Sequence, residues 1–217
     1  MKYFLVVAAA MGLASCGATE QGDPLGEATT DGAGSMHEDV ELRDGPFGYD
    51  IGQPLRSIEN VDETDGDLRI IESPPKPHPD FESVALIGYS DTGICSIRGI
   101  GRNLENDGTG SQIRSKVDEL AAALETKYGE PKKVDICQAG DIGCNTNYWM
   151  MFLGDGQRSY GYLWEQQNEA MQAANIGSIA VVAKAANIQT SYPVLEFYAA
   201  DEASCEAAAN ASSAQSL

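Results

Sequence analysis

The chain has 217 residues, of which 33 are acidic and 14 are basic, so its formal net charge at pH 7 is −19. Such a charge repels nucleic acid and anionic lipid headgroups, so neither is an expected partner. The length is sufficient for one hydrophobic core of ordinary size.

The chain begins like an export signal. Lys2 precedes an apolar run at 3–10, and small residues lead to Cys16 in the stretch LASC at 13–16. The apolar run is too short to cross a bilayer, which needs about 20 residues. This order of residues resembles the lipobox of bacterial lipoproteins. The alternative is an ordinary secreted protein that has a cysteine at this position by chance.

The lipoprotein resemblance implies a processing route and an address. Residues 1–15 would be removed as a signal peptide, and Cys16 would carry diacylglycerol and an acyl chain such as palmitate. Gly17, rather than aspartate, follows the cysteine, and this favours the outer membrane of a Gram-negative envelope, with the domain facing the periplasm. The membrane is therefore an expected partner through the lipid anchor.

The segment 16–45 is predicted to be a flexible acidic tether. It contains almost no large apolar side chain, so burial cannot offset the entropy of ordering it. A single α+β domain is predicted at 46–210, and residues 211–217 are predicted to be a disordered tail.

Short elements open the predicted domain. Pro54 suits the first turn of a short helix, DLRII is a candidate strand, and PPKPHP is a proline-rich spacer. FESVALIGYS and GICSIRGIG then predict a β-hairpin, because a short turn with glycine joins two strand-like runs. Alternation along the first run places Phe81, Ser83, Ala85 and Ile87 on one face. Val84 and Leu86 lie on the opposite face. We therefore expect this strand to be covered on both sides.

A helix is predicted from Ser111 to Tyr128. Its apolar residues recur every three or four positions and form one stripe: Ile113, Val117, Leu120, Leu124 and Tyr128. Gly129 suits the left-handed position that ends a helix, and Pro131 prevents its continuation.

Strand-like runs dominate the remainder of the chain. They are a short strand near 133–136, then RSYGYLWE, GSIAVVAKA and PVLEFYA, whereas NYWMMFL suits either a helix or a strand. A closing helix is predicted at 201–210, with Asp201 as its N-cap. This order predicts an α+β fold, in which one long helix packs on an antiparallel sheet and short helices lie at the ends.

Four cysteines remain beyond Cys16. An even number in an exported chain predicts disulfides, because the envelope outside the inner membrane is oxidising. Three pairings are open, and we favour Cys137–Cys144, with Cys95–Cys205 pinning the closing helix to the hairpin. The alternative is a zinc site, but Cys137 and Cys144 are further apart than usual zinc ligands, and neither histidine is near them in sequence. No metal or cofactor is expected.

Few residues suit acid–base catalysis, and no catalytic residue is assigned. His37 lies in the predicted tether, and His78 lies between two prolines, where a surface histidine is the simpler interpretation. The loop 103–110 carries oxygen ligands, but Arg114 stands where an EF-hand needs its last glutamate, so only weak cation binding is expected. Paired carboxylates of a sugar hydrolase stay open, because a sequence does not show their separation in space.

One aromatic pattern favours ligand binding. Tyr160, Tyr162 and Trp164 alternate along one strand and therefore share a face. Aromatic rings stack on sugars and peptides, so these three form the candidate ligand-binding face. The alternative is that they pack beneath the helix as core, which is ordinary strand packing.

The stretch from PPKPHPDFESV to SIRGIG, followed by KYGEPKK, resembles a recurring small domain of exported bacterial proteins and implies no active residue. The first hypothesis is a non-enzymatic, membrane-anchored envelope lipoprotein that binds a protein or a peptidoglycan component. The second is an inhibitor or accessory subunit of an envelope enzyme, for which a basic target would suit the charge. In size and class the chain resembles disulfide-bonded periplasmic inhibitor lipoproteins. The third is a carboxylate-dependent hydrolase.

Overall fold

The structure is a computed structural model that describes residues 44–58, 67–138, 140, 144 and 146–215. The predicted signal, Cys16, His37 and almost all of the predicted tether lie outside the described residues. The strands are β1 (Leu68–Ile71), β2 (Phe81–Tyr89), β3 (Gly93–Gly101), β4 (Lys132–Cys137), β5 (Arg158–Trp164), β6 (Ile176–Ala185) and β7 (Ser191–Ala199). They form one antiparallel sheet in the order β1-β2-β3-β7-β6-β5-β4.

Helices of different lengths accompany this sheet. They are α1 (Ser111–Tyr128), α2 (Trp149–Gly154), α3 (Glu169–Ala173) and α4 (Glu202–Gln215), with single 3₁₀ turns at Pro46–Gly48, Leu55–Ser57 and Thr146–Tyr148. The α+β fold predicted from the sequence is confirmed. In the described part of the chain, no helix is both long and apolar enough to cross a membrane.

Helix α1 has the bounds that its periodicity predicts. It connects β3, in the middle of the sheet, with β4 at the edge. Ile113 and Val117 of its apolar stripe are fully buried, and the ring of Tyr128 packs edge-on against Phe197 of β7, with 6.3 Å between the ring centroids. The stripe therefore lies on the sheet, as expected for an amphipathic helix.

One face of the sheet, called the covered face below, holds the core. Its central residues are fully or almost fully buried and lie side by side across neighbouring strands: Val84, Leu86, Ile97, Phe197, Ile179 and Val181. Phe47, from the first 3₁₀ turn, packs on the same face. A Cβ built on Gly99 would lie 2.5 Å from the Phe47 ring, so the close contact requires glycine.

Strand β2 differs from its prediction at Phe81. The register shifts between Phe81 and Ser83, so a β-bulge turns Phe81 to the covered face, where its ring lies 5.3 Å from that of Phe47. Phe81 therefore does not share a face with Ala85 and Ile87. The two faces of β2 are buried unequally, because Val84 and Leu86 are fully buried on the covered face, whereas on the other face Ala85 is buried and Ser83 and Ile87 are half-buried.

The closing helix is longer than predicted. Asp201 caps it by accepting the backbone N–H of Ser204 at 3.1 Å, and hydrogen bonds from the side chain and the backbone of Ser204 lower the pKa of Asp201. The helix continues to Gln215, so the tail predicted at 211–217 is wrong for 211–215. Helix-favouring alanines and a hydrogen bond from the Ser212 hydroxyl to Asp67 account for the extension.

Both predicted disulfide pairings are confirmed. Cys95 pairs with Cys205 and Cys137 pairs with Cys144, with 5.8 Å between the Cα atoms in each pair. The first bond links β3 to α4, and the second closes the short loop after β4.

Candidate binding surface

The three aromatic residues predicted as a ligand-binding face lie on the covered face, beneath α1. Tyr160 is 5% exposed and Trp164 is 2% exposed, whereas Tyr162 is half-buried. The indole N–H of Trp164 donates to the carbonyl oxygen of Gly129, at 2.7 Å. This placement agrees with the alternative that the three residues pack beneath the helix as core. The rings of Tyr160 and Trp164 are therefore not accessible to a ligand.

The two tyrosines belong to a polar cluster that joins α1 to the edge of the sheet. The hydroxyls of Tyr160 and Tyr162 both donate to Oδ1 of Asp118 on α1, at 2.6 and 2.8 Å. The ammonium group of Lys133 on β4 lies 3.8 Å from the same oxygen and 5.0 Å from the centroid of the Tyr160 ring. A carboxylate, a cation and two aromatic rings thus meet at one point.

The electrostatics of this cluster suppress acid–base chemistry near neutral pH. Burial, together with the hydrogen bond to Asp118, raises the pKa of Tyr160 to about 12. The hydroxyls of Tyr160 and Tyr162, and then the charge of Asp118, raise the pKa of Lys133. Both shifts favour the protonated form, so neither side chain becomes a base at pH 7. The cluster serves to join α1 to the strands.

In an absorbance titration we expect one tyrosine to ionise near pH 12, and this ionisation step should be missing in the Tyr160→Phe variant. Asp118→Asn should lower this pKa, because the carboxylate opposes a second negative charge beside it. The pKa of Tyr160 is higher in the folded chain than in the unfolded chain, so protonated Tyr160 contributes its full stabilisation below pH 10. This contribution is lost as the pH rises from 10 to 12. Ionisation of every tyrosine close to pH 10 would contradict the geometry.

The loop 103–110 holds the start of α1. Asp107 is 1% exposed, and its Oδ1 accepts the backbone N–H of Gln112 at 2.8 Å. Its Oδ2 accepts the backbone N–H of Ile113 at 3.0 Å and the hydroxyl of Ser191 at 2.8 Å. Because hydrogen-bond donors engage both oxygens, the expectation of weak cation binding finds no support at Asp107. Among the described residues, no group of three or more His, Cys, Asp or Glu side chains could hold a metal ion.

His78 lies in the proline-rich spacer, with its side chain 47% exposed. Its Nδ1 accepts the backbone N–H of Asp80 at 3.2 Å, and its ring packs 5.3 Å from that of Phe81. These local contacts fit a surface histidine that orders the spacer.

The face of the sheet opposite the covered face, called the open face below, carries a row of apolar side chains. Strand pairing places Ile100 beside Val194, Val194 beside Val182, and Gly161 between Val182 and Val134, so the row crosses five strands. Leu163 and Ile136 lie next to it on the same face. We define the apolar patch by these side chains: Ile100, Val194, Val182, Leu163, Val134 and Ile136.

Most of the apolar patch is accessible. Ile136 is 51% exposed, and Ile100, Val182, Leu163 and Val134 are half-buried, whereas Val194 in the middle of the row is 5% exposed. Seven strands at about 4.8 Å spacing make the whole open face about 30 Å wide. Its longest strands have nine or ten residues, which is about 30 Å at 3.3 Å per residue, so the area of the face is on the order of the 800 Å² that one partner contributes to a standard protein interface.

Charges on the open face nearly balance. Arg98 and Glu196 pair at its centre, with 3.2 Å between Nε and Oε1, and the guanidinium lies 5.9 Å from the centroid of the Tyr198 ring. Lys184 and Glu82 line a shallow cleft of about 310 Å³ beside this pair. An almost neutral surface in a chain of net charge −19 means that the acidic residues lie mostly elsewhere.

Sequence reasoning missed this surface. A signal was present, because Ala85 and Ile87 gave β2 apolar residues on both faces. That pattern was interpreted as cover on both sides, and only the pairing of β3, β7, β6, β5 and β4 shows that apolar residues of distant segments align on the same face.

These features define an antiparallel α+β protein with one covered and one open sheet face. Comparisons of this chain with protein-family models, with curated proteins and with solved structures give no match.

Proposed function

We propose that this chain is a membrane-anchored lipoprotein of the bacterial cell envelope that binds another protein through its open face. The apolar patch carries the proposal. A sheet face that contacts water usually carries polar side chains, whereas this face has apolar residues on five adjacent strands. A contiguous apolar patch on a folded protein marks an interaction surface.

Charge defines the chemistry of the partner. The patch itself is uncharged and the charges beside it nearly balance, whereas the chain as a whole carries a net charge of −19. The complementary surface is therefore apolar at its centre, and the net charge of this chain favours a partner of positive net charge. Acidic charge attracts such a partner over about 8–10 Å at physiological salt, and the apolar contact then holds it.

A protein suits this surface better than a cell-wall sugar. Sugars bind by stacking on exposed rings, whereas the side chains of the apolar patch are all aliphatic, and the rings of Tyr160 and Trp164 are buried beneath α1. If the basic partner is an envelope enzyme, the chain is its inhibitor or accessory subunit, and the same charge supports this second candidate. A carboxylate-dependent hydrolase has less support, because Glu196, beside Glu82 in the cleft, is already paired with Arg98.

The anchor is tested by the intact mass of the protein purified from its native membrane. We expect the mass of residues 16–217 plus acyl chains, with the lipid on Cys16. Reduction should add four hydrogens for the two disulfides. A mass without lipid would refute the anchor while leaving the open-face proposal to its own test.

The open face is tested with a photo-crosslinking amino acid at position 136 or at position 188 in living cells. Ile136 is 51% exposed on the apolar patch, and Ile188 is 64% exposed in the turn between β6 and β7, which makes it a matched control. We expect a discrete adduct with one basic protein from position 136 and no such adduct from position 188.

A second substitution makes the test quantitative. Val134→Glu places a charge in the patch, and it should reduce the adduct from position 136 at least about tenfold, because an unpaired charge is costly in an apolar interface. Ile188→Glu should leave the yield unchanged. Equal adducts from both positions, an adduct with a second copy of this chain, or an adduct with lipid alone would each refute the proposed partner.

A further inference from the structure

Helix α4 carries no large apolar side chain, and a disulfide and a side-chain hydrogen bond link it to the rest of the domain. Each residue from 202 to 214 is exposed or half-buried, and the apolar side chains of the helix are alanines apart from Cys205. Clefts of about 560 and 320 Å³ lie between α4 and its neighbours. An isolated helix of this length is marginal in water, so its contacts with the rest of the domain hold it in place, and the disulfide to Cys95 and the hydrogen bond from Ser212 to Asp67 are among them.

The two sulfurs of this disulfide have different surroundings. Cys95 is 7% exposed within β3, whereas Cys205 is half-buried and lines the larger cleft. The hydroxyl oxygen of Thr92 lies 3.2 Å from Sγ of Cys95. A disulfide sulfur carries no hydrogen, so the hydroxyl is the donor. Its other acceptor, the carbonyl oxygen of Gly93, is further away at 3.4 Å.

This asymmetry favours attack from one direction. A nucleophile entering the cleft reaches Cys205 more readily than Cys95. The sulfur that leaves is then Cys95, and a donated hydrogen bond stabilises the negative charge that develops on it. The geometry points to Cys95–Cys205 as a thiol–disulfide exchange site, at which a dithiol oxidoreductase attacks Cys205 and releases α4.

The exchange is balanced without any further reagent. A thiolate of the oxidoreductase attacks Sγ of Cys205, forming a mixed disulfide and breaking the bond to Cys95. Cys95 leaves with the electron pair as a thiolate, accepts the hydrogen bond of Thr92 and takes a proton from water. The second thiolate of the oxidoreductase then attacks the sulfur of its first cysteine in the mixed disulfide. This releases Cys205 as a thiolate, which takes a proton from water. Two electrons pass to this chain, and the oxidoreductase becomes the disulfide.

The direction of attack is tested by trapping. The probe is a thioredoxin-type dithiol protein whose second cysteine is replaced by serine, incubated with the full chain in its disulfide-bonded form. Mass spectrometry of the adduct should find the probe on Cys205. Thr92→Val should slow adduct formation roughly three- to tenfold, and Thr92→Ser should restore it. Adducts at Cys137–Cys144 provide an internal control that neither substitution changes.

Release of α4 is tested by hydrogen exchange. In the double variant Cys95→Ala, Cys205→Ala, the backbone amides of α4 should exchange at least about a hundredfold faster, while those of α1 stay protected and show that the fold is intact. A probe found on Cys95, equal rates for Thr92→Val and the parent chain, or unchanged protection of α4 would each overturn the inference.

Discussion

Gly110→Ala is expected to destabilise the fold by about 3–5 kcal/mol, the largest effect of any single substitution considered. Gly110 has a φ of +68°, and a Cβ added there would lie 2.0 Å from Cε3 of Trp149. Trp149 is completely buried, and its ring packs 6.1 Å from that of Tyr160. Neither the backbone nor the indole has room to move, so the cost combines an unfavourable φ with overpacking. The free energy of unfolding in urea measures it.

Gly156→Ala is the matched control for this substitution. Gly156 has a similar φ, +71°, but no heavy atom lies within 4 Å of an added Cβ. It should cost only about 1 kcal/mol, the price of the left-handed backbone alone. Equal losses in the two variants would show that Trp149 does not confine Gly110.

Asp107→Ala is expected to cost about 3–4 kcal/mol of unfolding free energy. Its carboxylate accepts the backbone N–H groups of Gln112 and Ile113 in the first turn of α1, and the hydroxyl of Ser191 on β7. Helix α1 has Gly110 at its N-cap and no side-chain cap there, so Asp107 supplies the cap from three residues further back. Alanine leaves three donors without an acceptor in a buried site, and this desolvation is the source of the loss.

Two further variants separate the cap from general charge effects. Asp107→Asn keeps one acceptor oxygen and should cost about half as much as Asp107→Ala. Glu105→Gln removes a nearby charge but keeps an oxygen for the hydroxyl of Thr190, so it should change stability by less than about 0.5 kcal/mol. An Asp107→Ala variant as stable as Glu105→Gln would contradict the capping role.

The predictions from the sequence were most accurate for features that depend on residues close together in the chain. The stripe of α1, its glycine end and the glycine turn between β2 and β3 each depend on neighbours a few residues apart, and all three are found in the structure. NYWMMFL was ambiguous because a short apolar run suits a buried strand and a buried helix equally. It forms a 3₁₀ turn and α2, which places Trp149 against Gly110.

The candidate site was not predictable in the same way. Alternation showed that Tyr160, Tyr162 and Trp164 share a face, but which face α1 covers depends on the path of the chain after β3. The apolar patch needs the pairing of strands that are far apart in sequence. Helix α3 was missed too, because its five residues give no measurable periodicity; it is capped by Asn168, which accepts the backbone N–H of Met171 at 2.9 Å.

The strand order has a consequence for how the chain folds. Strands β1 to β3 form one group and β4 to β7 another, and among the described strands the β3–β7 pairing alone joins them. Because α1 and strands β4 to β6 separate β3 from β7 along the chain, this pairing raises the contact order, and we expect it to form late. Until β7 arrives, β3 has an unpaired edge that can recruit another chain. Folding should therefore be slow, and the chain should be prone to aggregate through this edge of β3. The Cys95–Cys205 bond links β3 to the helix that follows β7, so it would stabilise the β3–β7 pairing once formed.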